Sequence, residues 1–560
     1  MTAIAALAVC VMAVTIVLAI FALVSRHRAV LAQHEAVVAK QAAQRRQKQA
    51  EGLVNFMLGD LSAKLEQVDR LDIMQAVDDK AMAYFQSLPN TDVTPEALAQ
   101  RAKALEKIGS VRLGLGNLKS ALQAFGASAA ISSKLAASVP ANTKRQLAYS
   151  QTLAFMGMTH WQQGALEDAE DEFETGRRVL QSSLTHGTTD PALQIQLAYL
   201  DDDIGHVLEA RGQPAAAAIP YQRMLGEAQK AAAAKADDIE YQVAIGNAHN
   251  NLGKLSLLRG DLATSITEYR ADDIIETTLL RYEPRNNHQR ENTLRVRAIL
   301  GRTLALSGDT ANGLRDLQQA VDMAARLTQF EPRDTDAQDY LALYSSQLAT
   351  LQRVSGNAAA AVSSNAQAIR ILVALTKKNP DNQGWQSDYA EALIEQAAEL
   401  RTANQMKAAR RSAQKAVDLL VPMLTKHPDE RNLLLATMTA KLLLASMTTD
   451  AQSANAQREQ ALRKMQAAKT SRCDLRLQAL QVEALLVQGR KVQARPLLKQ
   501  LWSGGYRDPA LLTALQRAHV DYPVNKAFQQ RIATILHENH VNGPQLSYQA
   551  RCKEKCSKSK

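Results

Sequence analysis

The sequence predicts an all-α fold: a superhelical solenoid of helical hairpins with a 48-residue period, entered through one N-terminal transmembrane helix. Three observations carry this reading. The first is a ladder of small residues at equal spacing, Gly109, Gly157, Gly205, Gly253, Gly301, Ala349 and Ala397. The second lies seven positions on and reads Gly116, Gly164, Gly212, Gly260, Gly308, Gly356 and Asn404, the two residue types that best tolerate a left-handed helix C-cap. The third is the run 2–24, which holds no charge and no proline. Self-similarity at a fixed period is the signature of stacked repeats and decides the fold before any local propensity does.

Each hairpin follows from three ladders. A small residue at the first rung lets one helix lie close to its partner, and Gly or Asn ends that helix in a tight turn. A third series, Ala121, Ala169, Ala217, Ser265, Gly313, Ala361 and Ala409, lets the second helix cross closely. An aromatic follows in the first four units, Phe125, Phe173, Tyr221 and Tyr269, and fades to Leu317, Asn365 and Ala413. Pro284, Pro332, Pro380 and Pro428 keep the same interval, which places the breaker between units. The stretches MGMTHWQQGALEDAEDEF (156–173) and LGKLSLLRGDLATSITEY (252–269) resemble the tetratricopeptide repeat. That family's unit is about 34 residues, so a 48-residue unit predicts both helices to be longer by roughly a turn or two.

Composition agrees with stacked helices. Aromatics are 4% and hydrophobics 46% of 560 residues, and no strand pattern stands out. The net charge of +10 sits at the ends of the chain. Residues 25–50 carry Arg26, Arg28, Lys40, Arg45, Arg46 and Lys48 against Glu35, and 551–560 carry Arg551, Lys553, Lys555, Lys558 and Lys560 against Glu554. The repeats are near neutral, whereas a nucleic-acid solenoid would carry its basic stripe along them. Basic ends suit anionic lipid instead.

Taken in order, 1–25 is predicted as the membrane anchor, since its apolar run can cross a ~30 Å hydrocarbon core. Basic residues follow the span and none precedes it, so the positive-inside rule puts the repeats in the cytoplasm. Residues 26–97 read as a juxtamembrane helix and an N-terminal capping hairpin. The stretch 50–85 resembles the segment after the transmembrane helix in multidomain bacterial signalling proteins, where a kinase, TIR or caspase-like effector precedes the span. That resemblance implies a bacterial inner membrane, single-pass, and implies periplasmic repeats as the alternative topology. Seven in-register repeats occupy 98–430, and irregular C-terminal repeats and capping helices occupy 431–545. In 431–545, TTDAQSANAQ replaces the glycine turn and LQALQVEALLVQGRKVQARPLLKQLW (477–502) regains the pattern through Gly489 and Ala494. A basic tail, 546–560, reads as disordered.

No catalytic constellation emerges. Gly114-Leu115-Gly116 lacks the third glycine of a phosphate loop, and no Walker, G-x-S-x-G or H-E-x-x-H pattern is present. Asp201, Asp202 and Asp203 diverge by about 100° each on a helix, so they cannot share one calcium and are expected on a solvated face. Cys473, Cys552 and Cys556 are one thiol short of a closed zinc site, and His537 with His540 are expected to be solvated. No cofactor, metal, nucleic acid or small-molecule substrate is implied. The concave wall of first helices remains. Its inward stripe carries Gln151, Ala154, Met158 and Trp161 in the second unit, and Tyr199, Asp202, His206 and Glu209 in the third. The fourth carries Asn247, Asn250, Lys254 and Leu257, and the fifth Arg295, Ala298, Arg302 and Ala305. The Asn/Lys/Arg group resembles a tetratricopeptide carboxylate clamp, which implies a protein or peptide partner of acidic character. The expected peptide-binding groove is therefore Trp161, His206, Asn247, Asn250, Lys254, Arg295 and Arg302. The expected function is a membrane-anchored, non-catalytic scaffold; the alternative is the docking half of a signalling enzyme.

Overall fold

A computed structural model of the chain describes residues 25–35, 37–38, 94–185, 190–468 and 473–538. The expected span 2–24, most of the capping segment, the tail 546–560, and Cys552, Cys556 and His540 lie outside the described residues. Residues 25–35 and 37–38 are helical. Seven hairpins follow: α1 (Pro95–Gly114) with α2 (Leu118–Ser138), α3 (Thr143–Gln162) with α4 (Leu166–Thr185), and α5 (Pro191–Ala210) with α6 (Pro214–Ala234). Next come α7 (Ile239–Leu258) with α8 (Leu262–Tyr282), α9 (Asn287–Leu306) with α10 (Thr310–Phe330), α11 (Thr335–Val354) with α12 (Ala358–Lys378), and α13 (Gln383–Thr402) with α14 (Met406–Lys426). Every first helix starts 48 residues after the last, and every second helix does likewise. The helices run 20 or 21 residues, as the long period requires.

The three ladders act on one contact. Gly116, Gly164, Gly212, Gly260, Gly308 and Gly356 have φ between +72° and +91°, and Asn404 takes the same turn at φ 59°. That turn throws the aromatic of the second helix onto the rung glycine. A Cβ at Gly157 would stand 2.6 Å from the Phe173 ring, and one at Gly253 3.0 Å from Tyr269. Rung and aromatic are thus two halves of a joint. Where Leu317, Asn365 and Ala413 replace the aromatic, the first-helix partner grows from Gly301 to Ala349 and Ala397. The third ladder is wholly buried, and Ser265 donates its hydroxyl to the Gly253 carbonyl at 2.9 Å.

One ladder went unread in the sequence. Asn142, Asp190, Asp238, Asn286, Asp334, Asn382 and Glu430 also stand 48 apart, and each side chain accepts a backbone N–H two or three residues on. These are N-caps, each worth ~1 kcal/mol of helix stability.

The chain forms two compact units, Met1–Gln196 and Leu197–Lys560. In the second, consecutive first helices touch one another, α9 with α11, α11 with α13, so they form an inner layer and the second helices an outer one. Beyond the hairpins lie α15 (Arg431–Ser446), α16 (Ala451–Ala467), α17 (Leu475–Val487), α18 (Lys491–Ser503), α19 (Pro509–Arg517) and α20 (Lys526–Glu538). α15 begins in register but ends a turn early. α17 and α18 shrink to 13 residues and α19 to 9, and α19 starts 34 residues after α17, the ordinary tetratricopeptide interval.

These last helices fold back on the fourth and fifth hairpins. The Arg507 N–H donates to the Leu306 carbonyl at 2.7 Å, and a Cβ on Gly260 would meet the Cys473 carbonyl at 2.9 Å. Leu262 shares a core with Leu475 and Leu477, while Ile532 of α20 packs with Ala263, Ile266, Tyr269, Leu300 and Leu304. The second unit therefore closes on itself. Helix α12 is apolar enough by composition to cross a membrane, but it is the outer helix of the sixth hairpin and buries Ala361, Asn365, Ala368, Leu372 and Leu375.

The acidic run is a correction. Asp201 is buried against Arg223 at 2.5 Å, and Asp202 accepts from Asn251 at 2.7 Å. Burial, then Asp202, pushes Asp203 up to about 7. The side chains diverge, as the helix dictates, but into protein contacts. A solvated face was expected because the sequence does not show which neighbours stack there.

Candidate functional site on the inner layer

Six of the seven expected groove residues stand in the second unit; Trp161 is half-buried on α3 in the first. The six do not form one basic row. His206 and Lys254 belong to a knot between the third and fourth hairpins. The Lys254 ammonium donates to Glu209 at 2.6 Å and lies 6.0 Å from the Tyr221 ring centroid. The Tyr221 hydroxyl meets His206 Nδ1 at 3.0 Å, and His206 Nε2 faces Asp202 at 3.4 Å. Burial pushes the Glu209 carboxyl up, but bonds from His206 and Lys254 outweigh it and hold it below its ordinary value. The Lys254 ammonium and the His206 ring thus both face the chain's own carboxylates.

Asn250 is engaged as well, donating to Asp272 on α8 at 2.9 Å. Beside Asp272, Glu276 accepts from Gln289, and Asp273 from Arg297 at 3.1 Å. Burial raises both Asp272 and Glu276, the latter to about 7. Sequence reading passed over this acidic group because it treated second helices as an outer layer only. The signal was ADDIIE (271–276), whose Asp272 and Glu276 are one helical turn apart and share a face.

Asn247 and Arg295 are exposed at the same register of adjacent first helices. The Arg295 guanidinium lies 6.0 Å from the Tyr340 ring centroid. Arg302 is different again. It is half-buried in the interior, one turn before Leu306, where the C-terminal helices close over α9. Burial, reinforced by the charges of Arg476 and Arg431 and opposed by Glu391, pulls its guanidinium down to about 10. Across the same interior, Asp339 of α11 and Asp388 of α13 are neighbouring acids. Burial, then Glu391 and Asp339, pushes Asp388 up to about 8, and burial with Asp336 takes Asp339 to about 6. Two acids this close disfavour each other's ionised form.

Among the described residues no group of three or more His, Cys, Asp or Glu could hold a metal ion, and Cys473 is exposed and free. The arrangement offers an inner wall with accessible donors, beside self-paired polar knots.

No family model matches the chain, and no curated protein matches it. Solved structures similar to it include the apo form of the quorum sensor NprR from B. thuringiensis, at 12% identity over 82% of this chain and 99% of that one, with a TM-score of 0.40. Yeast Tom70 aligns at 11% identity over 87% of this chain and 98% of that one, TM-score 0.29. A tetratricopeptide repeat protein from Parabacteroides merdae aligns at 13% identity over 66% and 98%, TM-score 0.25. Likeness at this level carries nothing about a ligand. On the geometry of its own hairpins, with their glycine turns, small-residue joints and inner layer of first helices, this chain is a tetratricopeptide-like helical-repeat protein.

Proposed function

We propose that the protein is a non-catalytic scaffold, anchored in a membrane by residues 2–24, that holds a protein or peptide partner against its first helices. One observation supports this most. Asn247 and Arg295 repeat at the same position of adjacent inner-layer helices and stay exposed, while Asn250, Lys254 and Arg297 on the same helices are engaged. A wall that keeps donors available at a regular spacing suits an extended chain, which presents carbonyls at regular intervals. His206, Asn250, Lys254 and Arg302 then shape the wall, and Trp161 offers a contact of its own in the first unit.

The test is site-specific photocrosslinking in native membranes. A crosslinker at position 247 or 295 should trap one discrete partner, while one at Gln319, exposed on the outer layer, should not. Equal trapping at all three positions, or at none, refutes the reading. Alkaline extraction with and without residues 2–24 tests the anchor. Phosphatase and fluorescent-protein fusions at the C-terminus decide its orientation, which we place with the repeats in the cytoplasm.

A further inference from the structure

The hairpin of α15 and α16 departs from the seven before it and leaves a cleft. Its helices, at 16 and 17 residues, are shorter than the 20 and 21 residues of α13 and α14. Between α14, α15 and α16 lies a half-open cleft of about 290 Å³. Buried Leu424, Met438 and Ala461 give it an apolar floor, beside Val421 and Pro428. Thr425 and Thr437 donate their hydroxyls to the Val421 and Leu433 carbonyls of their own helices, so neither asks for a ligand. The polar groups left in the lining are the ammoniums of Lys441 on α15 and Lys464 on α16, with the Gln460 amide.

Lys441 is the more telling of the two. Asp201, His249, Arg297, Ser345, Leu393 and Lys441 stand 48 residues apart on successive first helices. Each ionisable member before Lys441 meets a partner of opposite type on a second helix: Asp201 meets Arg223, His249 meets Glu268 at 2.7 Å, and Arg297 meets Asp273 at 3.1 Å. The second helices beside Lys441 supply none. Asp418, the one acid of α14, accepts from Gln414, and Glu459, the one acid of α16, is paired with Arg490. Glu430 caps α15, and Asp429, next to Pro428, makes no ion pair with either lysine. Among the described residues no carboxylate lies within ion-pair distance of Lys441 or Lys464. Where the other hairpins place an acid, this cleft places a second cation. Lys464 sits in the last turn of α16, where the helix dipole favours it, but Lys441 stands short of the last turn of α15 and lacks that support.

We propose that the cleft binds a single-chain carboxylic acid of medium length, with its carboxylate at Lys441 and Lys464 and its chain on Leu424, Met438 and Ala461. An ammonium is a compact charge with freely turning donors, and it meets a carboxylate in charge-assisted hydrogen bonds. A bare anion would leave the apolar floor in water, and an uncharged chain would leave the ammoniums unmatched. Volume sets the length. An apolar cavity of about 150 Å³ holds one benzene ring, so about 290 Å³ takes roughly ten carbons, too few for a two-chain lipid. The cleft shares no residue with the wall of Asn247 and Arg295, so this site goes beyond the scaffold reading and does not depend on it.

The test titrates octanoate, 1-octanol and acetate calorimetrically into the full chain in lipid nanodiscs, with empty nanodiscs as the blank. Octanoate should bind once per chain, octanol should bind more weakly by about tenfold or more, and acetate should not bind. Lys441→Met keeps the apolar stem and removes the charge. It should weaken octanoate by about tenfold or more and leave octanol unchanged. Lys464→Gln should weaken octanoate as well, and Lys441→Arg should retain most of the binding. Lys407→Gln, exposed at the other end of α14, should leave it unchanged. Without ligand, Lys441→Met should unfold in urea no earlier than the wild type, because buried Leu393 holds the same register one hairpin earlier. An earlier midpoint would give Lys441 a structural role and overturn the proposal. Octanol or acetate bound as tightly as octanoate would overturn it too, as would octanoate binding no greater than the blank, or unaltered in both Lys441→Met and Lys464→Gln.

Discussion

The joint between rung and aromatic can be broken and remade. A methyl at Gly157 would sit 2.6 Å from one Phe173 ring carbon and 2.8 Å from two more, whereas carbon contacts are most favourable at about 3.5–4.0 Å. The ring must retreat by about 1 Å, and Phe173 is fully buried with nowhere to swing. Overpacking of this kind costs ~1–3 kcal/mol. Replacing Gly by Ala inside a helix returns up to ~1 kcal/mol. The net expectation for Gly157→Ala is destabilisation by about 1–2 kcal/mol. Phe173→Leu alone opens space beside Gly157 and should lose roughly 1–2 kcal/mol. Together the methyl fills what the ring vacated, as Ala397 and Ala413 coexist in the seventh hairpin. A double-mutant cycle should therefore give a favourable coupling of ~1 kcal/mol or more. Urea unfolding of the full chain followed by circular dichroism measures it, and hydrogen exchange over 143–185 confirms that the change is local. A Gly157→Ala variant as stable as wild type, or effects additive within about 0.3 kcal/mol, would refute the joint.

The remaining expectations concern the turns, the interior and the closure. Gly116→Ala and Gly260→Ala both force a side chain into positive φ, a strain of ~1–2 kcal/mol. Gly260→Ala should lose about 1 kcal/mol more in urea unfolding, because its methyl also meets the Cys473 carbonyl where Gly116 faces open space. Asp388 has a folded value near 8, above its unfolded one, so the folded state holds a proton the unfolded state has lost. Its contribution is present below about pH 4 and fades as pH rises through about 8. Asp388→Asn should flatten the fall in unfolding midpoint across that window; an unchanged slope would deny the raised value of Asp388. Ile532→Ala removes a buried contact of α20 with Tyr269 and Leu304. It should cost roughly 2–3 kcal/mol and speed hydrogen exchange in 262–282, whereas unchanged exchange there would mean that α20 does not hold the unit closed.

The sequence by itself determined the hairpin, its length, its turns and its boundaries, because these depend on residues a few positions apart repeated at one interval. Gly164 must bend, Ala169 must let helices approach, and Pro332 must interrupt, whatever surrounds them. Its inward stripe also brought Asn247, Arg295 and Arg302 to notice. It did not show that Lys254 is held by Glu209, that Asp201 faces Arg223, or that Arg302 lies under the C-terminal helices and not in a groove open to solvent. The first two depend on how neighbouring hairpins stack. The last depends on the shorter C-terminal helices, which carry the chain back onto hairpins more than 150 residues earlier. A periodic pattern specifies each contact that recurs with the period. Charge pairing across the closure of the second unit does not follow the period, so only the tertiary structure decides which of its cations are already held by carboxylates.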